Sequence, residues 1–349
     1  MPHARTGRPL VVLQSFPAPL PTTNPYLVML RDSLVALDDV VVLPFSWRTA
    51  LLRRYDVFHV HWPEALIADR GSRGKARVRQ ALFAALLVRL RAGRRPVVRT
   101  VHNLELPTGI SRTERLLLRW TERWTAVRIR INETTPVSGT APSVTIPLGH
   151  YRDWFSGHPR SAPVPGRLTF FGLIRRYKGV DDLVAAFGQT DDGGAELTLH
   201  VAGSPSSDEL VGLLTAAAEA DSRMSVDLRF LADADVVTEV TEAELVVLPY
   251  KHMHNSAGVL TALSLERPVL VPDNEANRRL SDEVGPGWVH RYHGELTGHV
   301  LLEALGALRD APPAGKPDLS GRDWDRAGED HRAAYRLAVA RARGGDVRR

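Results

Sequence analysis

The sequence predicts an α/β protein built of two parallel-sheet domains. Three observations carry this. Apolar strand-like runs alternate with amphipathic helical segments along almost the whole chain. The alternation pauses once, in the Pro- and Gly-rich stretch SGHPRSAPVPG (156–166), and then restarts. The chain has 349 residues, enough for two sizeable cores. Two Rossmann-like domains facing a cleft are therefore expected, with ligands at the carboxyl ends of the strands.

In the first half, PLVVLQSF (9–16) reads as a buried strand and TNPYLVMLRDSLVAL (23–37) as an amphipathic helix. VVVLPF (40–45) and YDVFHVHWPE (55–64) are strands, the second running into polar residues. Residues 70–96 read as one basic helix, with an apolar stripe of Val78, Leu82, Ala85 and Leu86. RPVVRTVHNLE (95–105) is a further strand with a polar end. A helix over 111–127 starts with Ser111 and, three residues on, Glu114, the spacing of a capping box. SVTIPLGHY (143–151) reads as a strand leaving the domain.

In the second half, RLTFFGLI (167–174), ELTLHVAGSP (196–205), VDLRFLA (226–232), ELVVLPY (244–250) and RPVLVPD (267–273) are strands. Helices are expected over 179–190, 207–220 and 235–243, and in the segment after residue 256. The domains are placed at 1–150 and 167–315, with a linker over 151–166. Residues 316–349 are placed as a closing segment whose helix, 323–343, packs back on the first domain.

Composition narrows the functional classes. There is no cysteine, so neither disulfides nor thiolate metal sites are expected. No apolar run reaches about 18 residues, so no membrane span is indicated. The N-terminus is too short and too soon interrupted for a signal peptide. A cytoplasmic protein is expected, free or peripheral on the inner membrane face. Residues 1–150 hold 22 Lys and Arg against 10 Asp and Glu, a net of +12, whereas the rest holds 23 against 30, a net of −7. Much of the positive charge sits in residues 70–96, which read either as a solvated helix face or as attachment to an anionic membrane surface. Nucleic acid is not expected as a partner, because no aromatic residues interleave with the charges. Only Lys75, Lys178, Lys251 and Lys316 stand among 41 Arg, and a retained Lys can mark a place for a compact ammonium.

The segment LPYKHMHNSAGVLTALSLERPVLVPD (248–273) places Lys, two His, Asn, Ser and Gly between a strand and a helix. Such a polar island suits a phosphate-cradling turn: N–H groups at a helix start face an anion, and Gly258 admits close approach. The plainer reading is an N-capped helix with Ser256 as cap. Arg175, Arg176 and Lys178 follow a strand and would add positive charge, and Gly203 ends the next strand. In the first half three polar strand ends stand out: TTN with Thr23 and Asn24, HVHWPE with His59, His61 and Glu64, and TVHNLE with His102, Asn103 and Glu105. His59 and His61 alternate along a strand and are expected to project to opposite faces, so no metal site is expected.

These segments resemble the GT-B glycosyltransferases, family 4-like. FFGLIRRYKGVDDLVAAF is similar to the family's Gly–Arg–Leu…Lys–Gly segment, LHVAGSP to its second Gly turn, ELVVLPYKHMHNSAGVLTALSLERPVLVPD to its donor-diphosphate and ribose segment, and WDRAGEDHRAAY to its closing helix. The NPY, HVHWPE and Pro-Tyr…Ser-Ala-Gly patterns look similar to bacterial transferases that build polysaccharide repeats on lipid carriers, GDP-mannose-dependent β-mannosyltransferases among them. The chain departs from the family pattern in three places. Met253 and Thr261 stand where many relatives carry a pair of Glu, Leu173 stands in place of the Arg after the first Gly, and PAPLPTTNPY replaces a glycine-rich loop.

The resemblance implies a nucleotide-diphosphate-sugar donor, GDP-mannose before UDP-sugars, and a glycan, glycolipid or small-molecule acceptor, with no cofactor or metal. It assigns the donor to Gly172, Arg175, Arg176, Lys178, Gly203, Tyr250, Lys251, Asn255, Ser256, Ala257, Gly258 and Thr261. On the acceptor side, His102, then Glu64 and His61, are candidates for the group that takes a hydroxyl proton if the reaction inverts; Thr23, Asn24, Asn103 and Glu105 would line the acceptor. A nicotinamide dehydrogenase would need a Gly-x-Gly-x-x-Gly after the first strand, and SFPAPLPTTN supplies none. An enzyme like the UDP-GlcNAc 2-epimerases, or a non-catalytic nucleotide-sugar-binding subunit, is the alternative.

Overall fold

The computed structural model describes residues 8–69, 71–103, 109–136, 139–190, 197–251 and 256–344. The chain divides into two units, residues 1–149 with 322–349, and residues 150–321.

The first unit runs β1 (Leu10–Gln14), α1 (Pro25–Val35), β2 (Val40–Leu43), α2 (Trp47–Leu52), β3 (Val57–Val60), α3 (Pro63–Ile67), α4 (Arg73–Ala92), β4 (Val97–Val101), α5 (Arg112–Trp124), β5 (Thr125–Arg130) and β6 (Ser143–Thr145). The second runs α6 (Arg152–Phe155), β7 (Arg167–Phe171), α7 (Val180–Phe187), β8 (Thr198–Ala202), α8 (Asp208–Ala220), β9 (Met224–Asp227), α9 (Asp233–Glu242), β10 (Leu245–Val247), α10 (Ala257–Ser264), β11 (Val269–Pro272), α11 (Glu275–Val284), β12 (Val289–Tyr292) and α12 (Gly298–Asp310). The last helix, α13 (Trp324–Gly344), belongs to the first unit.

Each unit holds one six-stranded sheet, and every strand pair is parallel. The first sheet has the order β2-β1-β3-β4-β5-β6 and the second β12-β11-β10-β7-β8-β9. The order therefore reverses between β1 and β3 in one sheet and between β7 and β10 in the other. At such switch points the loops leaving adjacent strands diverge to opposite faces and open a crevice beyond the strand ends.

The strands are Val- and Leu-rich because both faces are covered. In the first unit Leu13, Phe58 and Val97 pack with Phe83, Leu86, Leu87 and Leu90 of α4 and Leu117 and Leu118 of α5. The buried stripe of α4 is thus Phe83, Leu86, Leu87 and Leu90, not the expected one. Val78 and Ala85 face solvent, and of the expected set only Leu86 is fully buried. Both sets are helically spaced, and the larger Phe and Leu side chains remove more apolar area from water.

The capping box of α5 forms: Glu114 N–H donates to Ser111 Oγ at 3.2 Å and Ser111 N–H to Glu114 Oε2 at 2.7 Å. That helix ends at Trp124, and the expected helical tail is instead the start of β5, whose inward Val127 and Ile129 are fully buried. The strand expected over 143–151 is confined to β6, and the one over 226–232 ends at Asp227. The proline-rich 156–166 stretch lies in the second unit and is tied down there: Ser161 N–H donates to Thr241 Oγ1 at 3.0 Å and Val164 N–H to Glu242 O at 2.9 Å.

Helix α13 buries Trp324, Ala327, Gly328, His331, Ala334, Tyr335 and Ala338, one helical face, and packs on α1 and β5. A Cβ at Gly328 would come within 2.8 Å of Ser33 O, so this glycine permits the close approach of α13 to α1.

Candidate active site

In the second unit the candidate donor residues gather where the sheet order reverses. Strand β7 ends in Gly172, and β8 ends in Gly203, whose N–H donates to Asp227 O at 2.8 Å. These two turns touch so closely that a Cβ on Gly203 would sit 1.7 Å from Gly172 O. The β7 loop then makes a single 3-10 turn, Arg176–Lys178, and closes on Gly179 in the left-handed region at φ +65°. A Cβ there would lie 2.3 Å from Pro249 O, so the loop is held against the end of β10.

This places the Lys178 ammonium over the Tyr250 ring, 4.8 Å from its centroid. Burial, with the Arg175 charge beside it, lowers the Lys178 pKa to about 8. A cation so placed gains from any anion that reaches it. Tyr250 is buried, and its hydroxyl lies 3.1 Å from where a Gly258 Cβ would stand, so glycine leaves the first turn of α10 open. Ser256 caps α10, its Oγ accepting from Val259 N–H at 3.1 Å. That leaves the N–H groups of Ala257 and Gly258 without intrahelical acceptors, at the positive end of the helix. Lys178, Arg175 and this helix start form a compact positive locus suited to a diphosphate.

Three of the expected donor residues are used otherwise. Arg176 pairs with Glu209, and Lys251 reaches Asp182 at 2.9 Å and Asp181 at 3.8 Å. Thr261 is buried a turn inside α10. Asn255 and Met253 lie outside the described residues.

In the first unit a polar cluster occupies the other switch point. His59, on β3, and His61, the residue just after that strand, lie on one side, with ring centroids 4.2 Å apart. The opposite-face expectation is corrected here, because the strand period is two and alternate residues share a face. His61 Nδ1 is 3.2 Å from His102 Nε2, and its Nε2 is 3.3 Å from Gln14 Oε1. The His102 ring stacks on Trp62 at 4.1 Å and meets Tyr26 edge-on at 5.3 Å. His59 Nε2 is 2.8 Å from Thr100 Oγ1, and its Nδ1 is 2.8 Å from the Tyr335 hydroxyl of α13. Burial is the first cause holding these imidazoles neutral: His102 is lowered to about 3 and His331 to about 4, with His59 and His61 well below their usual range.

Next to His102, Asn103 Nδ2 donates to Glu64 Oε1 at 3.5 Å. Asn24 is the cap of α1, accepting from Tyr26 N–H at 3.0 Å, and Thr23 Oγ1 accepts from Leu20 N–H at 2.8 Å, so both hold local structure. Glu105 lies outside the described residues. Gln14, Trp62, Tyr335 and His331 were not singled out in the sequence; a glutamine ending a buried strand is the one readable signal among them. Among the described residues no group of three His, Asp or Glu is arranged to hold a metal ion, and no helix is long and apolar enough to cross a membrane.

Two parallel sheets, one ending in an anion cradle and the other in a cluster of imidazoles and a carboxylate, are the architecture of the GT-B fold, and the full-length relative described below makes the chain a glycosyltransferase of that fold. Solved structures share the fold: the Anabaena HepE protein in complex with UDP (TM-score 0.59, 14% identity, 97% of this chain and 98% of that one) and a sucrose-phosphate synthase from Thermosynechococcus elongatus (TM-score 0.59, 13% identity, 98% of each chain). The chain belongs to the family of the GDP-mannose:glycolipid 4-beta-D-mannosyltransferase of Xanthomonas campestris pv. campestris, to which it is 45% identical over 332 residues, 95% of this chain and 93% of the relative. The counterpart from a second strain of that organism matches equally. No protein-family model matches the chain.

Proposed function

We propose that the chain transfers mannose from GDP-mannose to a hydroxyl of a lipid-linked glycan, forming a β linkage. The observation that carries this is the 45% identity, across nearly the full length of both chains, to a GDP-mannose:glycolipid 4-beta-D-mannosyltransferase. UDP-sugars are the second donor class.

In this reading the second unit holds the nucleotide. Lys178, Arg175 and the N–H groups of Ala257 and Gly258 neutralise the diphosphate as it leaves, which needs no metal ion or other cofactor. Mannose is α-linked in GDP-mannose, so a β product requires inversion, and a direct displacement requires a group to take the acceptor proton. Glu64 is the better sink than His102. Taking a proton discharges a carboxylate, whereas at His102 it would create a buried cation near Arg99, the first charge after burial that lowers its pKa. His102 instead accepts a hydrogen bond and orients the reacting hydroxyl.

The lipid acceptor brings the enzyme to the cytoplasmic face of a membrane. Helix α4 is the proposed attachment: Arg73, Lys75, Arg77 and Arg91 are exposed on it, Val78 and Val88 stand exposed among them, and no acidic residue occurs from residue 70 to residue 104.

Thermal unfolding with GDP, UDP, dTDP and CDP, each at about 100 times its dissociation constant, tests the donor assignment. The bound nucleotide adds roughly 2.7 kcal/mol. A rise with GDP alone is expected. A rise with UDP alone replaces the donor base, and no rise with any of them overturns the reading.

A further inference from the structure

We propose that Gln14, together with Tyr335, is a positioning residue that fixes the His102 imidazole in its Nε2–H tautomer, so that Nδ1 offers a lone pair to a substrate hydroxyl. This rests on the reading of His102 as an active-site residue.

The argument is a chain of donors and acceptors. The Gln14 side chain is fully buried, and its amide can act in only one way at each end: the nitrogen donates and the oxygen accepts. Its Nε2 donates to the Tyr335 hydroxyl at 3.3 Å. Its Oε1, 3.3 Å from His61 Nε2, therefore receives an N–H from that ring. A neutral imidazole carries one N–H, so His61 Nδ1 is an acceptor. The atom 3.2 Å from it, His102 Nε2, must then be the donor. His102 Nδ1 is left unprotonated.

The other arm closes the same logic. The Tyr335 oxygen is already accepting from Gln14, so its own proton goes to His59 Nδ1 at 2.8 Å. His59 then carries its N–H on Nε2 and donates to Thr100 Oγ1 at 2.8 Å. Each contact in the chain then pairs one donor with one acceptor, and one amide orientation sets three tautomers. Turning that amide over would reverse all of them and make His102 Nδ1 a donor. The neutral state that the argument needs is supplied by burial, which opposes charge on each ring. The fold brings the parts together: Gln14 ends β1 and His61 follows β3, on either side of the switch point, and Tyr335 arrives on α13 from the other end of the sequence.

A structural network would keep these groups satisfied in either arrangement, so the readout must be the tautomer itself. Nitrogen-15 long-range correlation spectra of histidine-labelled protein are expected to show His102 with a protonated Nε2 and a bare Nδ1. Gln14→Met should let the His102 tautomers mix and lower kcat roughly 10- to 100-fold, the size of effect seen when a metal-bound histidine loses its outer partner, with KM changed little. Tyr335→Phe, a smaller change in shape, should act in the same direction and more weakly. A protonated Nδ1 on His102 in the parent protein overturns the proposal, as does an unchanged tautomer and kcat in folded Gln14→Met and Tyr335→Phe. If His102→Ala keeps full turnover, the placement of His102 at the active site fails, whatever tautomer the spectra show.

Discussion

Replacing Lys178 with methionine should raise stability and lower activity at once. The side chain is half-buried over Tyr250, and its pKa is lowered from 10.5 to about 8. At 1.36 kcal/mol per unit, the charged form is disfavoured in the folded empty protein by roughly 3 kcal/mol. Losing the cation–π contact gives back about 1 kcal/mol. A net gain near 2 kcal/mol is left, worth roughly 4–8 °C in a unit of this size. The pH dependence has a definite sign. The folded state releases this proton before the unfolded state does, so the parent protein should gain stability as pH rises from about 8 to 10.5. The variant should lack that gain. Activity moves the other way, because the same ammonium is proposed to meet the departing diphosphate. Removing one such contact costs about 2.7–4 kcal/mol, or roughly 10²- to 10³-fold in kcat/KM. Differential scanning calorimetry and initial rates with a nucleotide sugar read both quantities. A variant that is less stable than its parent, or that turns over as fast, would refute the reasoning.

Gly203→Ala should cost several kcal/mol and unfold the second unit below the parent Tm, since its Cβ would overlap Gly172 O and its φ of +147° disfavours any side chain; a chemical melt within 0.5 kcal/mol of the parent would contradict that contact. The buried histidines should make the first unit acid-sensitive. The unfolded chain binds their protons near pH 6.5, while folded His331 and His102 do not until about 4 and 3. Stability is therefore full above 6.5 and falls as pH drops, by up to about 1.4 kcal/mol per pH unit for each group; a urea midpoint that stays flat from pH 7 to 5 would be incompatible with this. Reversing two charges on α4, Arg77→Glu with Arg91→Glu, should weaken retention on anionic vesicles at least tenfold, at about 1 kcal/mol per basic residue lost. Equal sedimentation of variant and parent would remove α4 as the attachment.

The parallel-sheet architecture was legible because its strands are short Val- and Leu-rich runs separated by helices, a pattern that local sequence carries directly. Strand β5 was not, because TAVRIR continues a helical spacing from the segment before it, and its buried Arg128 is made tolerable by a pair with Glu122 and a hydrogen bond donated to Ala141 O. The inward face of α4 was ambiguous for a related reason: apolar residues occur on two sides of it, and the packing of α2, α3 and α5 decides which side is covered. In the donor cradle, Lys178, Tyr250 and Ser256 sit at strand ends and a helix start, where position alone suggests their roles. Which of several neighbouring cations points inward is a different matter. In the structure Arg176 pairs with Glu209 and Lys251 with Asp182, contacts that the local sequence does not announce. The imidazole network was the least readable part, since Gln14 and Tyr335 are 321 positions apart and meet only through the fold.

The most direct test of the account is transfer itself. The purified protein would be given labelled GDP-mannose or UDP-glucose and a glycolipid extract, and the lipid product digested with anomer-specific mannosidases. Label entering the lipid from GDP-mannose alone, and released by a β-mannosidase, is the expected result. Transfer only from the UDP-sugar, or a product released only by an α-mannosidase, would contradict the central claim.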